Sequence, residues 1–511
     1  MVHTTESEPS SGQPLTSARR RGAVLAVMCL ALAVVVGMLA SLLVAVPDMA
    51  GDLGASEAEL QWIMNAYGVA FAGLLLTGGA LGDRYGRRNV LLAGLALFGL
   101  ASAAVVAVDD VAVVIALRAV AGVGAALVMP MTLAVITHVF PPAERGRAVG
   151  VWSGISFGAA LLGVLLAGSL LEAFSWRSVF VANAAIAAFA LVAAAAITPA
   201  SKDPDAAPLD PVGSLLSVVG LGALVYGIVE GPERGWDDGT VLTGFAMGAT
   251  GLAAFVWWEL KRQRPMLDPR VFRLRGVSAG ALVLTAETLA MFGLFFLLLQ
   301  HLQQVMGYSP FRAGLALIPM AVAAIVVSPA APPLAHRFGM RAVMGTGMAV
   351  IASGLALMSV FADGAAYWPV LTSTALLGAG IAFAATPATD AIVAALPQAK
   401  QGIASALNDV TRELGGVLGI AVLGSVFNAT YRAEIADATR TDGPRDSLAA
   451  ALGAAEDIGG RPGAELAHAA REAFGSGMVN ALLAGGVVVV AGGLAAVLIL
   501  PRGRQEPGSR P

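Results

Sequence analysis

LGDRYGRRNVL, residues 81–91, returns as LAHRFGMRAVM, residues 334–344, so that Arg84, Gly86, Arg88 and Val90 recur 253 positions later as Arg337, Gly339, Arg341 and Val343. Around this pair the correspondence extends. PMTLAVI (130–136) matches PATDAIV (387–393), and PPAERGRA (141–148) matches PQAKQGIA (397–404). Self-similarity over such a period signals an internally duplicated architecture. The apolar runs between these marks are long enough to show what is duplicated. Residues 22–46 contain no charged side chain, which is enough to cross about 30 Å of hydrocarbon and too long for a signal-peptide core of about 7 to 15 residues. Further runs of spanning length fall at 60–81, 90–108, 111–134, 148–171, 178–198, 212–230, 240–260, 277–302, 313–334, 342–361, 367–389, 403–428 and 477–500. Fourteen spans put both termini on one side of a bilayer.

The composition agrees. Of 511 residues, 57% are hydrophobic and 13% charged, against about a quarter charged in soluble domains. A net charge of -3 gives no basic face for nucleic acid. The single cysteine, Cys29, excludes an internal disulfide and a cysteine-based metal cluster. Lys and Arg concentrate in cytoplasmic loops of membrane proteins. With the N-terminus inside, the interior loops hold most of the 31 basic residues, Lys261, Arg262, Arg264, Arg270, Arg273 and Arg275 among them, and the short exterior loops hold only Arg177, Arg234 and Arg312. The seven tryptophans fall at or just beyond the ends of the spans, where amphipathic rings anchor at the interface.

These marks divide the chain into an N-terminal tail (1–21), a six-helix bundle (22–200), a linker with two extra spans (201–276), a second six-helix bundle (277–500) that includes a long exterior segment (429–476), and a C-terminal tail (501–511). Two halves of like orientation, related by an axis along the membrane normal, place the substrate path between them. The expected fold is all-α.

Residues 79–88 (GALGDRYGRR) resemble the signature that joins spans 2 and 3 in the major facilitator superfamily. Residues 62–67, 118–122, 175–177, 230–236 (EGPERGW), 307–314 (GYSPFRAG) and 408–415 are similar to its fourteen-span drug:proton antiporters. The resemblance implies a cell inner-membrane exporter of drug-like or antibiotic molecules driven by protons, working as a monomer without a cofactor. A proton symporter, or an exporter of one specific metabolite, is the alternative. It also implies that Gly79, Asp83, Arg84, Gly86, Arg87 and Arg88 lock and release the inward gate. Physically, the glycines permit a tight turn and close helix approach, and Asp83 can cap helix amides or pair with Arg84 or Arg88.

Four ionisable residues are candidates for proton coupling. Arg118 lies about seven residues into its span, where a charge is costly and faces a partner or a cavity. Glu287 is the only acid in 277–302 and sits near the midplane, where burial disfavours the charged carboxylate and lets it load and release a proton. Asp390 follows the Pro387 bend, and Asp409 precedes Arg412 by three residues on one helix face beside Glu413. Met38, Phe292, Phe295 and Phe296 are expected to line an apolar cavity, with Glu287 and Arg412 contacting substrate.

The chain departs from the family pattern in three places. Span 1 reads Gly37-Met38-Leu39-Ala40 where an acid is common, Ala121 stands in place of a glutamine, and Gly163-Val164 replaces a Gly-Pro pair. Residues 154–158 match G-x-S-x-G, but mid-helix and with no His-Asp partners, so a nucleophile elbow is excluded. No phosphate-binding Gly-Lys loop is present either. The chain is expected not to be an enzyme or an ATP-driven pump.

Overall fold

A computed structural model describes residues 18–201, 209–360, 366–396, 401–438 and 443–500. Most of both tails, Lys202 and the 397–400 part of the second repeat lie outside the described residues. The chain is nearly all helix, without strands among the described residues. The first half comprises α1 (Ala18–Leu53), α2 (Glu57–Tyr85), α3 (Arg87–Val105), α4 (Val111–Val139), α5 (Pro142–Leu171) and α6 (Arg177–Ile197). Then come α7 (Pro211–Arg234) and α8 (Gly239–Lys261). The second half comprises α9 (Arg275–Gln300), α10 (Pro310–Leu315), α11 (Ile318–Val327), α12 (Ala331–Phe338), α13 (Met340–Val360), α14 (Tyr367–Ala395), α15 (Gln401–Ala438), α16 (Gly443–Asp446), α17 (Leu448–Ile458) and α18 (Gly460–Ile499).

Thirteen segments are long and apolar enough to cross a membrane on their described residues, and the 30-residue α5 carries a further apolar stretch, Gly158–Leu171. This is the multi-span plan the sequence sets out. Two regions differ from it. The span read at 313–334 is broken into α10, α11 and α12, because Pro310, Pro319, Pro329, Pro332 and Pro333 remove backbone donors along it. The segment 429–476 is largely helical. There α15 runs on to Ala438, α18 begins at Gly460, and α17 lies between them with Ala451 fully buried. Some of the tryptophans at the span ends also bond to neighbouring helices. Trp152 is buried and donates to Thr132 Oγ1 at 3.0 Å, and Trp62 donates to Glu230 at 3.1 Å.

Small residues set the helix spacing. A Cβ on Gly78 would collide with the Ala126 carbonyl, one on Gly122 with that of Tyr67, and one on Gly419 with that of Leu289. The first two bring α2 and α4 to backbone contact, and the third brings α15 to α9, as close approach in lipid requires.

We call the end where α1 meets α2 the upper end, and the end holding the α2–α3 turn the lower end. Bonds that cross between the halves gather at the upper end. Gln303 donates to the Val44 carbonyl at 3.0 Å, Gln300 to Glu57 at 3.3 Å, and Ser309 to Glu172 at 2.7 Å. Gly168 of α5 packs on Phe311, and Gly314 of α10 on Val164. The bonds described at the lower end stay within one half, such as Arg21 to Glu144 (3.1 Å) and Thr389 to Asn408 (2.9 Å), or run to the extra helices, such as Thr77 to Ser214 (2.6 Å). Among the described residues, the bonds that join the halves therefore lie above. Beside them, α7 bridges α2 and α15. Ser217 donates to the Gly73 carbonyl and Ser425 to the Ile228 carbonyl, at 2.9 and 2.7 Å.

Candidate functional site

Midway along the bundle, α9 presents Glu287 and α15 presents Arg412, with the Arg412 guanidinium 3.8 Å from a Glu287 carboxylate oxygen. Glu287 is 1% exposed, and neither of its oxygens has a hydrogen-bond partner. The sequence reading has Glu287 alone and Arg412 beside Asp409. Instead, Gly415 and Gly419 let α15 approach so closely that the cation, 125 positions away in the chain, reaches Glu287. At 3.8 Å the contact is an ion pair without a formed hydrogen bond. A buried carboxylate this loosely joined to a half-buried cation recovers only part of its desolvation cost, so a proton on Glu287, which releases Arg412, is an accessible alternative state.

The neighbouring turn of α15 carries Asp409 and Glu413, both within electrostatic reach of Arg412. Across the seam, Glu413 also acts on Tyr67 of α2. The Tyr67 ring lies under the Arg118 guanidinium, 4.5 Å from carbon to ring centroid, and Arg118 donates through Nε to the Ile63 carbonyl at 2.9 Å. Arg118 is fully buried with both terminal nitrogens unpartnered. It ties α4 to the α2 backbone and keeps two donors for the interior. Together these residues form a charged belt of Arg118, Glu287, Asp409, Arg412 and Glu413 drawn from three helices and both halves. Asp390 is not part of it. It is exposed near the C-terminal end of α14, with His336 as its electrostatic neighbour.

The apolar residues expected to line a cavity divide. Phe292 and Phe295 are half-buried, Phe292 against Gly416, while Phe296 and Met38 are buried in packing. Two cavities lie elsewhere. One, of about 280 Å³, opens at the upper end and is lined by Pro47, Asp48, Gln303, Gln304, Tyr308 and Pro310, and by Ala449 and Leu452 of α17. The other, of about 180 Å³, is an apolar groove between α1, α5 and α6.

At the lower end the 79–88 signature folds as a fastened turn. Gly86 sits at φ +100°, Gly82 makes room for Met131, and Gly79 stays clear of close contact, its nearest neighbour being Pro130. Asp83 pairs with Arg87 at 3.0 Å, and with neither Arg84 nor Arg88. Since α2 ends at Tyr85 and Gly86 reverses the chain, Arg87 is the residue that comes back over Asp83. Arg87 also reaches the Ala134 carbonyl of α4 (3.3 Å), and Arg88 that of Ala195 on α6 (2.5 Å). Arg84 packs over Tyr85.

Sequence reasoning missed a buried polar stripe on α2: Glu57, Gln61 and Asn65, each no more than 1% exposed. Their spacing of four in an apolar helix is the signal that could have found it.

The Major Facilitator Superfamily model matches residues 28–420. The chain is 33% identical to the multidrug efflux pump LfrA of Mycolicibacterium smegmatis over 95% of its own length and 97% of that protein's. It is 33% identical to the tetracenomycin C resistance and export protein of Streptomyces glaucescens, over 100% and 97%, and 34% identical to the methyl viologen resistance protein SmvA of Salmonella typhimurium, over 84% and 88%. Among solved structures, a bacterial homologue of the lysosomal transporter Spinster in an inward-facing, unoccupied conformation superposes with a TM-score of 0.65 at 18% identity, covering 96% of this chain and all of that one.

Proposed function

From the premise that this chain belongs to the Major Facilitator Superfamily, a family of membrane transporters, we propose that it exports drug-like small molecules across the cell inner membrane in exchange for protons. The observation that carries the reading is Glu287, a buried carboxylate in the middle of a membrane helix whose one described charge partner, Arg412, is held at ion-pair distance without a hydrogen bond. Its relatives are named for multidrug efflux, antibiotic export and resistance to methyl viologen, a dication.

In this reading residues 22–200 and 277–500 are the two rocking halves, the lower end is cytoplasmic, and the structure is the inward-facing state of a monomer. A drug enters from below. If it is cationic, it competes with the proton for Glu287, so a single carboxylate couples both fluxes, and each ligand lowers the affinity for the other by the same factor. Arg412 takes the carboxylate when neither is bound, which keeps an unpaired buried charge from forming. Arg118 and Glu413 stand where the signal passes from one half to the other, and the Asp83–Arg87 turn holds α2, α3 and α4 together while the lower end is open.

The test is drug-induced proton release from the purified protein. Glu287→Gln keeps shape and removes the charge. Release and export of cationic substrates should fall to background, with neutral substrates less affected. Undiminished release from this variant would move the coupling site to Asp409 or Glu413.

A further inference from the structure

We propose that Glu57 is a second proton-binding site of the transport cycle, filled from the exterior solution, and that its occupation is what allows the upper end of the bundle to close. This rests on the proton-coupled reading above and concerns a site distinct from Glu287. Glu57 begins α2 and is 1% exposed, where the two halves meet at the upper end. Its described hydrogen-bond partner is a neutral amide from the other half, Gln300 Nε2, at 3.3 Å. Gln300 closes α9 and is followed by the π-helix His301–Val305, a helix type that recurs at functional positions. Below Glu57 the polar stripe continues with Gln61, whose amide lies against Gly424 of α15 with neither polar atom partnered.

The groups facing Glu57 offer no counter-charge. Tyr431 of α15 and Glu233 of α7 act on it electrostatically. The cation in the neighbourhood, Arg432, is occupied by Glu233 at 3.9 Å and Asp446 at 3.4 Å. On α2 itself, Glu59 is turned away to the Ser56 amide at 2.9 Å, forming a capping box. The positive end of α2 favours an anion at its first turn only slightly. Burying an ion against a neutral partner costs more than that gain, so burial decides and the closed seam holds Glu57 neutral. When the halves separate above, the same carboxylate meets water and ionises. The carboxylate takes a proton from exterior solution on closing and returns it there on reopening. Only its O–H bond is made and broken, and nothing is added to the protons carried by Glu287. Exterior acid thus promotes return to the inward-facing state, the direction an exporter needs after releasing its load.

The experiment places spin labels at Gly51→Cys, on the exposed end of α1, and Arg312→Cys, on α10, in a Cys29→Ser background. It reads the distance across the upper end in lipid nanodiscs from about pH 5 to about pH 8. In otherwise native protein the short, closed distance should gain population as pH falls. Glu57→Gln should hold the short distance throughout, raising the closed-to-open ratio at the alkaline end by about tenfold or more. Glu57→Asp should restore the response, and Glu287→Gln should leave it in place. A pH response retained in Glu57→Gln overturns this inference alone. A native protein that shows no pH response also overturns this inference, and leaves the Glu287 coupling to its own test, drug-induced proton release, whose survival in Glu287→Gln overturns that reading instead.

Discussion

The two copies of the repeated turn differ in how they are fastened. In both, a glycine at positive φ ends a helix, +100° at Gly86 and +87° at Gly339, and its amide bonds to the carbonyl four residues earlier, at 3.0 and 2.9 Å. The first copy adds three side-chain ties and one backbone bond. Arg87 holds Asp83 and the Ala134 carbonyl, Arg88 holds the Ala195 carbonyl, and the Arg87 amide bonds to Ser201 at 2.8 Å. In the second copy His336 occupies the position of the acid, and it follows a span already broken into α10, α11 and α12. The glycine is required by the turn itself, so duplication preserved it in both. The acid belongs to the fastening that Arg87 closes in the first copy, and the second copy carries His336 and Met340 at those two positions.

The largest effect should come from labelling. Tyr85 and Phe338 are equivalent positions in the two turns and are 57% and 59% exposed. Cysteines placed there should both react with an impermeant maleimide only after the cytoplasmic face is opened, since the native Cys29 is buried. Reaction of either one in intact cells would break the parallel relation of the halves. Next, Asp83→Asn should reduce transport by about tenfold, some 1.4 kcal/mol in the rate-limiting step, with drug binding nearly unchanged. Transport at the native rate would reduce Asp83 to a turn residue. Gly86→Ala and Gly339→Ala should each destabilise the fold by about 1–3 kcal/mol through the same backbone strain, read as a loss of thermal stability in detergent. Of the two, only Gly86→Ala should also slow transport in the protein that remains folded, because only Gly86 positions Arg87 and Arg88. Smallest of all, His336→Asn should change transport by less than about twofold, and an effect as large as that of Asp83→Asn would erase the distinction.

The sequence shows the spans and the repeat clearly because lipid makes both visible. A helix that must satisfy its backbone internally and face hydrocarbon is written as an unbroken apolar run. It does not show what depends on helices meeting. Glu287 stands out as a lone acid, but its partner Arg412 is reached only through the close α9–α15 contact at Gly415 and Gly419. Arg87 as the partner of Asp83 follows from the direction in which Gly86 turns the chain. Asp390 scans like a buried acid because it follows apolar residues, and only the tertiary arrangement puts it on an exposed face near His336. The helical character of 429–476 is masked in the sequence by its charges, which decorate the solvent side of α17 and of the start of α18 while Ala451 and Ala470 turn inward.

The hairpin of α7 and α8 makes the two flanks of the bundle unlike. Two sideways seams run between the halves, one along α2 and α15, the other along α5 and α10. By lying across the first, with Ser217 on the Gly73 carbonyl and Ser425 on the Ile228 carbonyl, the hairpin shutters it against the surrounding lipid. Among the described residues no extra helix bridges α5 and α10 in the same way, so the two flanks of the bundle present different surfaces to the lipid.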